Sequence, residues 1–390
     1  MTVLEPRDIP TLSAMLAAAN ANRQAVLPKG SGTRMARGAP PARADVTLSL
    51  AGLPREVEHC SGDLTATLSA SATLAEVNAR LAEGGQRLPV DPLFSAHSTI
   101  GGLIAANASG PARHRYGAPR DLIIGVELAL ADGRLAKAGG RVVKNVAGYD
   151  LARLVCGSFG SLAVITRATF KLVPLPQSTV TVAVTSSAAD ATRRLAEAGL
   201  AVAAQPLTPT AVDLDAPSSR LLLRFESTVA AADRQASAAA RFFIDNGLSV
   251  TRIDDGRQDV LWHDRAASVW DGTVVRVAVR PTDIAAMLDT VAGLTQEQAL
   301  SWRATGHAVL GVFYVGLHGP DHAQAAAITG IRQAVESRQG SAVVLAAGPP
   351  VMGLLDPWGD AGSGFRLMQA IKARFDPFGT LNPGGGPGGL

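Results

Sequence analysis

Cysteine is nearly absent from this 390-residue chain: Cys60 and Cys156 are the only two, and no CxxC pair is present. Neither a disulfide framework nor a cysteine zinc site is indicated. An iron–sulfur cluster normally takes four thiolates, so this chain alone cannot hold one. Lysine is scarce as well, limited to Lys29, Lys137, Lys144, Lys171 and Lys372; the formal net charge is +3 and aromatics make up 4%. A charge that small, with so little to stack bases on, is no nucleic-acid footprint. Long apolar runs are missing too: Ser341–Leu355 is broken by Gly348-Pro349-Pro350 and falls short of the roughly 18 apolar residues of a membrane span. Glu5 and Asp8 stand where a secretory signal would place cations and an apolar run, so a cytosolic chain without direct membrane insertion is expected.

What remains is 47% hydrophobic and 18% charged, enough for a substantial core in two or three domains. Asp8-Ile9-Pro10 opens a segment with Leu12, Met15, Leu16 and Ala19 on one face, a capped amphipathic helix. Ala25–Leu27, Asp45–Leu50, Thr65–Ala70, Ile123–Leu130 and Ala163–Val173 read as strands. Leu74, Val77 and Leu81 mark a helix that stops at Gly84-Gly85. From Gln177 onward, helical segments (188–198, 229–246, 281–294, 321–338) alternate with strands (180–184, 220–225, 274–279, 309–317). That alternation predicts a sheet with helices on one face. The pattern as a whole is α+β, with a last helix at Phe365–Phe375 and a Pro/Gly tail.

Three segments carry chemistry. Lys29-Gly30-Ser31-Gly32-Thr33 follows a strand, and closely spaced glycines let backbone N–H groups converge on an anion. A phosphate cradle and a plain glycine turn both fit; no Gly-Lys-Ser/Thr closes a Walker loop, and Met35 stands where a Rossmann third glycine would be. Ser98-Thr99-Ile100-Gly101-Gly102 repeats the same physics, with Asn107 and small residues at Ala105, Ala106 and Ala108 beyond it. Two such loops suit a pyrophosphate between them; a tightly packed small-residue helix is the other reading. The third segment runs Gly140-Arg141-Val142-Val143-Lys144-Asn145-Val146-Ala147-Gly148-Tyr149-Asp150, then Gly157-Ser158-Phe159-Gly160 and Val164-Ile165.

With Phe375-Asp376-Pro377-Phe378-Gly379-Thr380-Leu381-Asn382-Pro383-Gly384 near the end, these segments in this order resemble the vanillyl-alcohol oxidase (PCMH-type) flavoprotein family, and within it the small FAD subunits of bacterial glycolate oxidases. The resemblance implies a two-subdomain FAD-binding domain over residues 1–174, a smaller α+β cap domain over 175–362, and a helix and tail over 363–390 that return to the FAD domain. It puts the FAD pyrophosphate on Lys29–Thr33 and Ser98–Gly102, the adenine end near Val164 and Ile165, and the isoalloxazine near Asn145, Gly148, Tyr149 and Asp150. Asn107, Gly157 and Asn382 join that set. Relatives usually follow the terminal Asn-Pro-Gly with a cation, where this chain has Gly385.

No His or Cys lies in Pro28–Arg37, where relatives with a covalent flavin place their histidine, so noncovalent FAD is expected. His318 and His322 are spaced like helical metal ligands, but Gly319-Pro320 separates them and no metal is expected. Oxidising a 2-hydroxy acid needs a base and a hydride acceptor. The sequence offers His263 and His307 only as isolated histidines, leaving the base unassigned. The resemblance therefore implies a subunit that oxidises glycolate to glyoxylate together with a larger FAD subunit and an iron–sulfur subunit. Those partners would hold it at the inner membrane face. A self-sufficient oxidoreductase of another hydroxy acid or alcohol, and a nonenzymatic assembly subunit, are the alternatives.

Overall fold

The computed structural model describes residues 2–35, 38–141, 149–254 and 256–390. The chain forms two compact units, the first made of Met1–Gly110, Tyr116–Leu175 and Asp360–Leu390, the second of Pro111–Arg115 and Pro176–Gly359.

The first unit holds two principal sheets. A parallel one orders Thr2–Leu4, Val46–Ser49 and Val26–Lys29; an antiparallel one orders Val57–Cys60, Thr65–Ser69, Val164–Lys171, Ile123–Ala129 and Leu135–Gly139. Helix Ile9–Ala21 starts at Asp8, whose carboxylate accepts from Thr11 N–H at 2.7 Å, and buries Leu12, Leu16 and Ala19. Those side chains meet Val26, Val46, Leu48 and Leu381 in one core. Helix Leu74–Ala82 opens with a reciprocal Thr73–Glu76 capping box and packs Leu74, Val77 and Leu81 against the larger sheet. The C-terminal tail completes the small sheet: Val26 N–H donates to Thr380 O and Asn382 N–H to Val26 O, setting Leu381 beside Val26 in parallel.

The second unit is an eight-stranded antiparallel sheet in the order Ser249–Ile253, Ser178–Thr185, Arg220–Ser227, Ala211–Ala216, Ser301–His307, Val312–His318, Thr273–Ala278, Ser341–Ala346. Side-chain alternation decides its two faces. Val182, Val184, Leu221 and Leu223 point into the main core, shared with helices Ala191–Ala203, Val229–Asp245, Ile284–Glu297 and Asp321–Glu336. Ala183 and Leu222 point the other way, onto Trp262 of helix Arg257–Ala267. The expectation of helices on one face therefore needs correction. This short, charge-rich helix covers the second face with Trp262 and Arg265, and it shows no apolar stripe in sequence. The strand expected at 309–317 runs Val312–His318, and a hairpin through Gly311 at φ +67° joins it to Ser301–His307, a strand the sequence did not signal.

Strand Ala211–Ala216 went unrecognised because Asp213 and Asp215 look like surface residues; both are buried. Asp213 accepts from His307 Nδ1 at 2.9 Å and pairs with Arg265 Nη2 at 2.9 Å, while Arg265 Nε donates to Asp215 at 2.9 Å. Burial disfavours the Asp213 charge, but His307 and Arg265 outweigh it and hold its pKa below the ordinary carboxylate value.

His114, within Pro111–Arg115, feels the same cluster. Burial pushes its pKa below that of ordinary histidine, Asp213 opposes the shift, and His307 reinforces it. The unfolded chain thus takes up a proton below about pH 6.5 that the folded chain resists, and stability falls as pH drops. Urea unfolding at about pH 7.5 and about pH 5.5 is expected to show this loss in the wild type and a smaller loss in His114→Phe. An identical pH dependence in both proteins would clear His114 of the effect.

Candidate functional site

Strand Val26–Lys29 delivers the chain to Gly30–Thr33, where Gly32 takes φ +81°, a conformation that strains any residue with a Cβ. Facing it, Thr99 caps the turn Ile100–Ala105 by accepting from Gly102 N–H at 3.3 Å, and Gly101 N–H donates to Ala70 O at 2.9 Å. The two loops are in contact: a Cβ added to Gly30 would sit 2.3 Å from Thr99 Oγ1. Phe159, Gly160, Val164 and Ile165 form a third wall. Together they bound a groove of about 720 Å³, counting the solvent it opens to.

Its charge is one-sided. Among the described residues lining the groove are the cations Lys29 and Arg34, and no carboxylate or imidazole. Backbone N–H groups on glycine loops beside two cations are what a pyrophosphate needs. A bulky side chain at the loop contact would separate the walls. Gly30→Val is therefore expected to raise the FAD dissociation constant by about 10- to 100-fold, the equivalent of the 1–3 kcal/mol typical of overpacking. Flavin fluorescence titration of the apoprotein checks it; undiminished affinity would place the pyrophosphate elsewhere. Gly101 is a poorer probe, because its added Cβ would meet Ala70 at 3.0 Å and disturb packing instead.

Of the residues expected from sequence, Lys29, Gly30, Ser31, Gly32, Thr33, Thr99, Gly101, Gly102, Val164 and Ile165 line the groove. Ser98 lies buried, its hydroxyl donating to Phe94 O at 2.7 Å. Asn107 accepts from Arg120 N–H and sits beside Gly157, whose N–H donates to Ile104 O; both shape the turn under the third wall. Asn382 Nδ2 donates to Phe159 O at 3.0 Å, bracing that wall from the tail. Tyr149 is 90% exposed, and Asp150 is spent capping helix Leu151–Val155. Asn145 and Gly148 lie outside the described residues. Burial pushes the Cys156 thiol pKa up to about 12, making it a neutral packing group.

Sequence reasoning missed Arg34 and Phe159. Arg34 reads as one more arginine in an arginine-rich chain, and Phe159 gave a signal only in the glycines around it. Of the two candidate bases, His263 is exposed beside Asp264, and His307 is committed to Asp213 in the second unit. Among the described residues no group of three His, Cys, Asp or Glu side chains is placed to hold a metal, and no helix is long and apolar enough to cross a membrane.

The family described as FAD binding domain matches residues 2–139. The chain is 36% identical over 176 residues to glycolate oxidase subunit GlcD of Bacillus subtilis, spanning 45% of this chain and 37% of that protein. It is 34% identical over 142 residues to glycolate oxidase subunit GlcE of Escherichia coli, spanning 36% and 41%. A D-lactate dehydrogenase of Archaeoglobus fulgidus aligns at 28% identity over 98% of this chain and 90% of its own length. Each glycolate oxidase match thus spans less than half of the relative. Among solved structures, alkyldihydroxyacetonephosphate synthase superposes with a TM-score of 0.75 at 15% identity, covering all of this chain and 77% of that one.

The fold is the α+β architecture of the vanillyl-alcohol oxidase type. Residues 2–139 are an FAD-binding domain, and FAD is the cofactor; Phe159, Val164 and Ile165 add a wall from beyond that match.

Proposed function

We propose that this chain is an FAD-binding subunit of a glycolate oxidase, acting with a larger FAD subunit and an iron–sulfur subunit to oxidise glycolate to glyoxylate and pass electrons toward a respiratory chain. The observation that carries the reading is the cationic groove between two glycine loops, in a domain whose relatives include two different glycolate oxidase subunits. Backbone N–H groups of Lys29–Thr33 and Thr99–Gly102 would bind the pyrophosphate, Val164 and Ile165 would hold the adenine end, and no covalent link is made. Bound FAD would supply the hydride acceptor that 2-hydroxy-acid oxidation requires. A groove with cations but no base among its described residues, in a chain with two cysteines, suits a subunit that relies on partners for proton transfer and for the cluster.

The test is an absorption spectrum of the purified chain, followed by anaerobic glycolate with and without the larger subunit. Oxidised-flavin bands that bleach only with the partner are expected. The near full-length alignment with a D-lactate dehydrogenase favours a second reading, a chain that oxidises a hydroxy acid unaided. Bleaching of the isolated chain by glycolate or D-lactate would establish that reading instead.

A further inference from the structure

Arg34 ties together parts of the chain that are far apart in sequence. Its Nη1 donates to Thr33 Oγ1 at 3.1 Å and to Ser98 Oγ at 2.7 Å, and its Nη2 donates to Leu93 O at 3.0 Å. Ser98 immediately precedes the cap of the second glycine turn and is itself fixed to Phe94 O. One planar group therefore spans the end of the first loop, the start of the second, and the segment at Leu93–Phe94, reaching across 64 and 59 positions. A guanidinium presents its donors in a rigid planar fork, which fixes these three acceptors relative to one another; an ammonium is a compact charge on a flexible stem and would hold their spacing less tightly. These three acceptors are the hydroxyls of Thr33 and Ser98 and the backbone carbonyl of Leu93.

We infer that Arg34 is a positioning residue that sets the gap between the two glycine loops and makes the groove selective for a flavin carrying a pyrophosphate over one carrying none. The inference rests on the FAD reading of the groove. A pyrophosphate brings two negative charges between Arg34 and Lys29, whereas riboflavin brings none. Loss of the guanidinium should therefore weaken FAD and ADP together while leaving riboflavin unchanged.

The experiment measures binding of FAD, ADP and riboflavin to the full-length apoprotein by calorimetry, for wild type, Arg34→Met, Arg34→Lys and Ser98→Ala. Arg34→Met is expected to weaken FAD and ADP by about 10- to 100-fold, the range for a lost charge-assisted hydrogen bond, with riboflavin affinity moving less than about twofold. Arg34→Lys should restore only part of the loss, because it returns charge without the fork. Ser98→Ala should weaken FAD, and a further variant combining Arg34→Met with Ser98→Ala should lose less than the product of the two single losses. Unchanged FAD affinity in Arg34→Met, or an equal loss for riboflavin, overturns the inference. Should Arg34→Met fail to fold, Ser98→Ala decides: wild-type FAD affinity there overturns the clasp. A wild-type chain that takes up no FAD overturns the FAD reading itself, a result distinct from any of these.

Discussion

Arg265→Met is expected to destabilise the second unit by about 3–5 kcal/mol, the cost of stranding buried charge when one partner of an ion pair is removed. Methionine keeps the aliphatic stem but is shorter, so the guanidinium's place 5.0 Å from the Trp262 ring is vacated as well. What is lost is the single cation shared by Asp213 and Asp215, both at most 8% exposed. Asp213 keeps His307, and Asp215 keeps the partly exposed Arg220 at 3.1 Å, which is why the loss should not exceed this range. Adding Asp213→Asn and Asp215→Asn to the variant removes the stranded charge and should recover part of the stability. Denaturant midpoints of the wild type, the single variant and the triple variant measure this. A single variant within 1 kcal/mol of wild type, about the worth of a surface ion pair, would mean that water reaches the cluster.

A comparable loss, about 3 kcal/mol or more, is expected in the first unit for Lys372→Met. Lys372 Nζ uses all three of its donors, on Ser161 O at 2.8 Å, Leu381 O at 2.8 Å and Asp376 at 2.6 Å. Burial pushes its pKa below that of ordinary lysine, and the hydrogen bond to Asp376 resists the shift. Without the ammonium, Asp376 remains fully buried with amide bonds from Thr380 and Leu381 but no countercharge. Ser161 follows directly on the third wall of the groove, so the variant should also release FAD at a lower temperature than the wild type. Calorimetric melting of the holoprotein, with flavin fluorescence read in the same scan, checks both effects. Lys372→Met/Asp376→Asn should regain part of the loss; a double variant worse than the single one would show that the carboxylate is not the stranded group.

The glycine loops could be read from sequence because closely spaced glycines are a visible pattern, even where, as at Gly30, the requirement comes from Thr99 on the other loop. Gly30 and Gly32 are required by a close approach and by a positive φ, and no other residue type meets either need cheaply. Helices Ile9–Ala21 and Leu74–Ala82 of the FAD half were readable from caps and periodicity, although its strands Thr2–Leu4, Val57–Cys60 and Leu135–Gly139 gave no such signal. Asp213, Asp215, Arg265 and His307 were not. Each is an ordinary surface residue until its partner arrives from 50 or 94 positions away, and no local pattern announces that partner. Arg34 escaped for the same reason, since its partners at Leu93 and Ser98 lie on another loop.

The pairing of the tail with Val26 also sets an order of events during synthesis. Chains emerge N-terminus first and fold by units. Pro176–Gly359 lies in one continuous stretch, so most of the second unit can settle on the ribosome as soon as that stretch is out. The first unit cannot: Thr380 hydrogen-bonds Asn20 across 360 positions, and Leu381 supplies part of a core whose other members were made hundreds of residues earlier. The half that binds the cofactor begins first and closes last. A nascent chain stalled short of Asp376 would carry both glycine loops while the third wall still lacked its brace.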